Sequence, residues 1–225
     1  MDDQNTFYVL IVAGGSGNRM NSPVPKQFLT VNGLPILMHT IQVFHHNKYR
    51  PIIILVLAKA DEERWKDLLQ KHQFDCPHQI VYGGKQRFDS VKNGLQKIED
   101  KNAIIAVHDA VRPMVSQNTI NNCFKTAQEK GNAIAAVSSK DSIRRSANGK
   151  TTALDRQEIY LVQTPQTFQY HQLKKAYSQD HQESFTDDAS VVEKAGFDIH
   201  LEKGDEFNIK ITFKEDLLIA AALLA

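Results

Sequence analysis

Cysteine is scarce in this chain: Cys76 and Cys123 are the only two in 225 residues, far apart and without metal-ligand spacing. That excludes a disulfide framework or a clustered thiolate site, and the pair reads as reduced thiols, core or near-surface, of a cytoplasmic protein. Charge of one sign is lacking too. Lys plus Arg total 27 against 26 Asp plus Glu, a net charge of +1, so no global basic field exists for nucleic acid and an anionic partner must be met by a local cluster. No apolar run approaches the ~20 residues of a membrane span. The LLIAAALLA tail follows Lys214, Glu215 and Asp216, which read as a helix first turn, and is expected to form a buried terminal helix. The opening MDDQN is acidic where a secretory signal would be basic, so no export is expected.

Two nucleotide signatures are also missing. In VLIVAGGSGNRMNSPVPK, residues 9–26, a G-x-G-x-x-G fingerprint fits Gly15 and Gly17 but finds Met20 where the third glycine belongs. A P-loop would need Gly-Lys-Ser/Thr, which is absent. What is present is an apolar run from Phe7 to Ala13, suited to a strand buried on both faces, followed by Gly14, Gly15 and Gly17. Glycine lets the backbone turn sharply and keeps no Cβ between it and a ligand. Arg19 and Lys26 then follow on a segment stiffened by Pro23 and Pro25. The stretch is either a plain strand-to-helix turn with solvated charges or a phosphate-approach loop whose cations suit a triphosphate under attack at phosphorus.

Downstream, strands at 52–57, 79–81, 104–107 and 133–137 alternate with helices at 35–44, 62–72, 87–98 and 116–130, a βαβ rhythm within one domain, residues 1–225. His108-Asp109-Ala110-Val111-Arg112-Pro113 lies at a strand's carboxyl end, where ligands collect in open α/β sheets. Asp109 suits a metal or a ribose hydroxyl and Arg112 an anionic group, with a structural ion pair between them as the alternative. His108 reads as a packed, hydrogen-bonded residue. At Gly83-Gly84 a polar helix start, Arg87, Ser90 and Asn93, is either a ligand loop or a plain connection. From Lys140 to Gln163 the rhythm breaks into a polar hairpin around Asn148-Gly149, an arm that calls for a partner subunit. Asp187 and Asp188 read as capping and dipole residues of a following helix. In Asn208-Ile209-Lys210-Ile211-Thr212, alternation turns Lys210 away from the isoleucines.

Taken together, AGGSGNRM…PKQFL, GGKQRFDSVKNGL, VHDAVRP, DRQEIYLVQTPQTF, TDDASVVE and NIKIT resemble the 2-C-methyl-D-erythritol 4-phosphate cytidylyltransferases, over residues 12–212. The resemblance implies an α/β, Rossmann-like nucleotidyltransferase fold of the nucleotide-diphospho-sugar transferase type. It further implies a homodimer locked by an extended β-arm, about 140–163, CTP and methylerythritol phosphate as substrates, and Mg²⁺. Residue by residue, it makes Arg19 and Lys26 transition-state stabilisers, with Gly15 and Gly17 on the triphosphate and Gly14 also binding CTP. Ala13, Gly84 and Ser90 would surround the cytosine, and Asp109 with Ala110 would lie near the ribose and the metal. Arg112, Ser142, Thr164, Thr186 and Lys210 would hold the methylerythritol phosphate, joined by Arg156 from the neighbouring arm, with Arg156 and Lys210 also counted as catalytic. The ribitol-5-phosphate cytidylyltransferases share the loop, HDAVRP and QTPQ, whereas RFDSVKNGL and TDDASVVE resemble the methylerythritol enzymes. A nucleotide-sensing regulatory protein that keeps the loop without chemistry is the non-enzyme alternative.

Overall fold

The computed structural model describes residues 5–14 and 24–224. The expected apolar run forms β1 (Phe7–Val12), and after the glycine segment a small hairpin, β2 (Thr30–Val31) and β3 (Leu34–Pro35), turns at Asn32-Gly33. Both turn residues have positive φ, 49° and 82°, as a tight two-residue turn requires. The chain continues through α1 (Ile36–His45), β4 (Ile52–Leu57), α2 (Glu62–Lys71), β5 (Gln79–Tyr82), α3 (Arg87–Leu95) and β6 (Ile104–Asp109). Then come α4 (Gln117–Lys130), β7 (Asn132–Ser138), the hairpin β8 (Ile143–Ala147) and β9 (Lys150–Leu154), and β10 (Tyr160–Gln169). Last are α5 (Tyr170–Ala176), α6 (Asp188–Lys194), β11 (Leu201–Lys203) and α7 (Lys214–Leu223). The helix starts are chemically marked: Ser116 Oγ accepts from Thr119 N at 3.2 Å ahead of α4.

Seven strands form one sheet in the order β11-β7-β10-β6-β1-β4-β5, with only β10 antiparallel to its neighbours. Period-two alternation sorts β1 between two cores. Val9 and Ile11 pack with Leu37, Trp65 and Phe124 on the face covered by α1, α2 and α4, and Leu10 packs with Val91, Leu173 and Val192 under α3, α5 and α6. Each such side chain, fully buried, contributes ~1.5–3 kcal/mol of transfer free energy. The result is a three-layer α/β/α domain. From β1 the chain builds outward to β4 and β5, then returns to β6 on β1's other side, so the topology reverses between β1 and β6. Crevices at such switch points, beyond the carboxyl ends of the strands, are where ligands bind in this architecture.

Three expectations need correction. The terminal helix is not buried: in α7 only Ala220 is fully enclosed, while Leu218 is 76% and Ile219 49% exposed. Its sequence is apolar around the whole circumference, so whichever face packs, another meets solvent. The arm is also shorter than Lys140 to Gln163. Its hairpin pairs Ile143 with Leu154 through Ala147 with Lys150, and by Tyr160 the chain is already back in the main sheet beside Ser138. Finally, the segment from Asn208 to Thr212 pairs with no strand among the described residues; Ile211 is buried and its N–H donates to Val111 O at 2.9 Å.

Candidate active site

Asp109, the last residue of β6, sits in register beside Val12 of β1, so its carboxylate stands at the switch point next to the exit of β1. It is 8% exposed. Lys210 Nζ lies 2.9 Å and Arg112 Nε 3.3 Å from its Oδ2, and Arg87 Nε lies 3.8 Å from its Oδ1. Burial alone would raise the carboxyl pKa, but the charges of Arg87, Lys210 and Arg112 outweigh it and hold the group well below the ordinary carboxylate range. The acid is therefore an anion at neutral pH, ringed by cations that exceed it in number.

Arg112 and the nearby Lys26 are held by backbone as well. Arg112 Nη1 donates to Asn208 O at 2.7 Å, and Lys26 Nζ donates to Ile211 O at 3.1 Å, so residues on both sides of Lys210 are fastened to known anchors. Beside Lys26, Gln27 Nε2 donates to Ala13 O at 3.0 Å, which ties the segment after the glycine loop back to the segment before it. Gly15, Gly17 and Arg19 lie outside the described residues. Their anchors, Gly14 and Lys26, do not.

Gly14 also faces the start of α3: a Cβ built on it would stand 3.3 Å from Ser90 Oγ. Ser90 Oγ accepts from Gly84 N at 3.1 Å and donates to Gln86 O at 3.0 Å, so its hydroxyl organises the loop that Gly83 and Gly84 form. A Cβ on Gly84 would strike Asp89 Cβ at 2.2 Å, which explains glycine there. Ala13, Gly14, Gly84 and Ser90 thus converge on one side of the crevice, and Asp109, Ala110, Arg112 and Lys210 on the other.

The Gln163-Thr164-Pro165-Gln166 stretch, expected from its composition to turn, lies instead within β10, where the register shifts between Val162 and Gln166 and the Thr164–Pro165 bond is cis, and it is the bracket that assembles the second side. Thr164 Oγ1 accepts from Asp109 N at 3.1 Å. Gln163 Nε2 donates to Asp205 O at 2.7 Å, and Asn208 Nδ2 donates to Thr164 O at 2.8 Å, holding the segment that carries Lys210. Gln166 Nε2 donates to Asp187 Oδ2 and its Oε1 accepts from Ala189 N, both at 2.8 Å, holding the start of α6 beside Thr186. Thr186 itself is exposed. Ser142 and Arg156 stay apart from this cluster: both are exposed on the arm, and Arg156 Nη1 donates to Lys140 O at 3.0 Å.

Arg87, Asp188 and Tyr177 form a buried network that sequence reasoning did not assemble. Arg87 Nη1 and Nη2 reach Asp188 Oδ1 and Oδ2 at 2.8 and 2.6 Å, and Tyr177 Oη donates to Asp188 Oδ1 at 2.5 Å. Burial and then the Asp188 charge push the Tyr177 pKa well up, so the phenol stays protonated and donates. The reading of Asp187 as a cap holds, because Ser190 N donates to its Oδ1 at 2.9 Å. Asp188 is different: it is fully buried and serves Arg87 and Tyr177, since an ionised carboxylate can be buried only with charged and hydrogen-bonded partners. One signal was available. An arginine at a helix N-terminus opposes the macrodipole and needs an acid nearby.

His108, packed edge-on to Phe44 at 4.8 Å, donates from Nε2 to Arg112 O at 3.1 Å. Burial lowers its pKa to about 4, so it is neutral and structural, as its place in the sequence led us to expect.

For a metal, the described residues offer no group of three His, Cys, Asp or Glu side chains. Asp109 Oδ2 is already engaged by Lys210 and Arg112. This donor set does not make a protein cage, but it fits a magnesium ion carried mainly by phosphate oxygens, with a single carboxylate at hand.

The family model for 2-C-methyl-D-erythritol 4-phosphate cytidylyltransferase (IspD) matches residues 7–225. The chain belongs to this family. The 2-C-methyl-D-erythritol 4-phosphate cytidylyltransferase of Bacteroides thetaiotaomicron is 44% identical over 216 residues, covering 96% of this chain and 98% of that relative. That of Azobacteroides pseudotrichonymphae is 45% identical over 218 residues, with 96% and 98% covered. Among solved structures, the 4-diphosphocytidyl-2C-methyl-D-erythritol synthase of Anaerococcus prevotii superposes with a TM-score of 0.82 at 29% identity, covering 98% of this chain and 96% of that one. The IspD of Francisella tularensis gives 0.79 at 30% identity, with 97% and 100% covered. The expected mostly parallel, helix-flanked sheet of this cytidylyltransferase family is thereby borne out.

Proposed function

We propose that this crevice carries out the reaction of its family, cytidylyl transfer from CTP to 2-C-methyl-D-erythritol 4-phosphate, with the following division of labour. A phosphate oxygen of methylerythritol phosphate attacks the α-phosphorus of CTP. The new P–O bond forms as the bond to the β-phosphate breaks, and the electron pair leaves with pyrophosphate. A phosphate monoester has its second pKa near ~6, so the nucleophile is ionised at neutral pH and no general base is needed. The obstacle is mutual repulsion of two polyanions, which placement and positive charge must overcome.

In this reading Gly14, Gly15 and Gly17 receive the triphosphate, and Ala13, Gly84 and Ser90 border the base. Lys26 and Arg19 stabilise charge at the α-phosphate. Lys210, Arg112, Thr164 and Thr186 hold the polyol phosphate. Asp109, with Ala110 beside it, keeps Arg112 and Lys210 aimed into the crevice and faces the ribose. Magnesium, riding on the triphosphate near Asp109, would neutralise phosphate charge. The observation that carries the reading is the ring of Arg87, Arg112 and Lys210 around Asp109, with Lys26 bonded to the residue next to Lys210.

The homodimer belongs to the same proposal. Among the described residues, strands β8 and β9 pair only with each other, and Leu161, Val162 and Phe207 are 55, 43 and 61% exposed. An isolated two-stranded ribbon needs support from elsewhere, and a second copy of the chain supplies it. Arg156, with Ser142, then enters the neighbour's site. No described helix is long and apolar enough to cross a membrane, and the two free, buried thiols support a cytoplasmic setting.

The test is pyrophosphate release from CTP and Mg²⁺ with methylerythritol 4-phosphate or ribitol 5-phosphate as acceptor. Release with the first and little with the second is expected. Preference for ribitol 5-phosphate would transfer the site to the rival chemistry, and tight CTP binding without turnover on either would favour a sensor.

A further inference from the structure

The Arg87 guanidinium is shared between two elements that the reaction must keep in register. Through Asp188 it holds the first residue of α6, two positions beyond Thr186; through its Nε it lies 3.8 Å from Asp109 Oδ1. Asp188 is fully enclosed, whereas the Arg87 side chain keeps about a third of its surface open, 32%. The charge is therefore anchored by a buried carboxylate while part of the side chain stays open to solvent. The same junction is reinforced by apolar contact: Phe88, the next residue, stacks on Tyr177 at 4.7 Å and on Phe185 at 5.8 Å between centroids. Phe185 immediately precedes Thr186. The loop bordering the base has its own fastening, through Ser90 and Asp89, and does not depend on Arg87 for its shape.

We infer that Arg87 is a positioning residue of the transfer reaction. Anchored by Asp188 and Tyr177, it sets the Thr186 segment at the spacing from Asp109 that the polyol phosphate requires, and reaches the nucleotide only through its longer contact with the Asp109 carboxylate. The inference rests on the reaction proposed above. A fork is needed because one guanidinium meets both oxygens of Asp188 and still presents Nε to a second acid; a lysine ammonium has the charge without that geometry.

The experiment compares the native enzyme with Arg87→Lys, Tyr177→Phe and Val192→Ala, the last a core lesion inside α6 that touches no charged group. Full kinetics in both substrates and melting temperature are measured for each. Loss of one charge-assisted bond at the polyol side should raise the KM for methylerythritol phosphate ~10-fold in Arg87→Lys. A misplacement of about 1 Å should lower kcat by up to ~10²-fold. The KM for CTP should change less, within about threefold of native, since Arg87 bears on the ribose side only through its 3.8 Å contact with Asp109. Tyr177→Phe should shift the same constant in the same direction by less, and carries the test if Arg87→Lys does not fold. Val192→Ala should lower the melting temperature and move neither KM. Equal changes in both KM values, or none, in an active background would overturn the positioning role alone, as would Val192→Ala reproducing the selective shift. Absence of turnover in the native protein would overturn the proposed reaction and this inference with it.

Discussion

Replacing Asp109 by asparagine removes one negative charge from among three positive ones while keeping the shape of the side chain. With contacts of 2.9, 3.3 and 3.8 Å, each cation interacts with the carboxylate by about 4–6 kcal/mol at an effective dielectric constant near 20, before desolvation is subtracted. Desolvation of the acid offsets much of that, and breaking a buried pair has a net cost of ~3–5 kcal/mol. Because Arg87 keeps Asp188 and the Lys210 side chain is 39% exposed, the lower end applies, about 3 kcal/mol. For a chain of this size that is a fall of roughly 6–12 °C in melting temperature. Added pyrophosphate should recover most of it, since a ligand at 100 times its Kd stabilises by ~2.7 kcal/mol. Turnover should drop by ~10²-fold or more, because Arg112 and Lys210 lose the group that aims them. The pH dependence has a definite sign. The folded-state pKa of Asp109 lies below its ordinary 3.8, so its contribution is present above that value and is lost as pH falls further. The difference between native and Asp109→Asn denaturation midpoints should accordingly narrow below about pH 4. Equal melting temperatures at neutral pH, with turnover intact, would refute the electrostatic account of the cluster.

Two further outcomes follow. His108 has its pKa lowered from 6.5 to about 4, so the unfolded chain binds the extra proton across that interval and stability falls as pH falls through it, by ~3 kcal/mol in all; His108→Gln should flatten this part of the denaturation profile, and an unchanged slope would mean the imidazole is not buried neutral. If the arm crosses between subunits, mixing inactive Arg156→Ala with inactive Lys26→Ala after subunit exchange should restore roughly a quarter of native sites, since half the dimers are mixed and each has one intact site; no recovery, with exchange verified, would assign Arg156 to its own subunit or to no site.

Much of the framework was legible because the central strands announced themselves by continuous apolar, β-branched runs and the covering helices by a periodic apolar face, whereas the short, polar β11 (Leu201–Lys203) gave no such signal. Ile52–Leu57, Ile104–Asp109 and α4 all appear where pattern put them. The site was legible in pieces only. Asp109 and Arg112 stood out as charges at a strand end, but Arg87 and Asp188 are 101 residues apart, and no local pattern pairs them. Lys210 looked like a solvent-facing lysine by alternation because its segment was treated as a strand. In the fold that segment has no ladder, and its direction is set by Gln163, Asn208 and Val111 instead. The terminal helix failed for the opposite reason: apolar composition fixes that a segment seeks burial, not that enough surface is available to cover it.

The bond from Lys26 to Ile211 spans 185 residues. A chain emerging from the ribosome can pair β1 with β4 early and with β6 later, yet the strip that fastens Lys26 and aims Lys210 appears only after every strand of the sheet. Strand β10 must also insert between β6 and β7, so the sheet cannot close in the order it is made. Such high contact order favours slow, late consolidation. A nascent chain halted before residue 208 would carry Asp109 and Arg112 without Lys210, and catalytic competence would arrive only once the segment through Ile211 has been made.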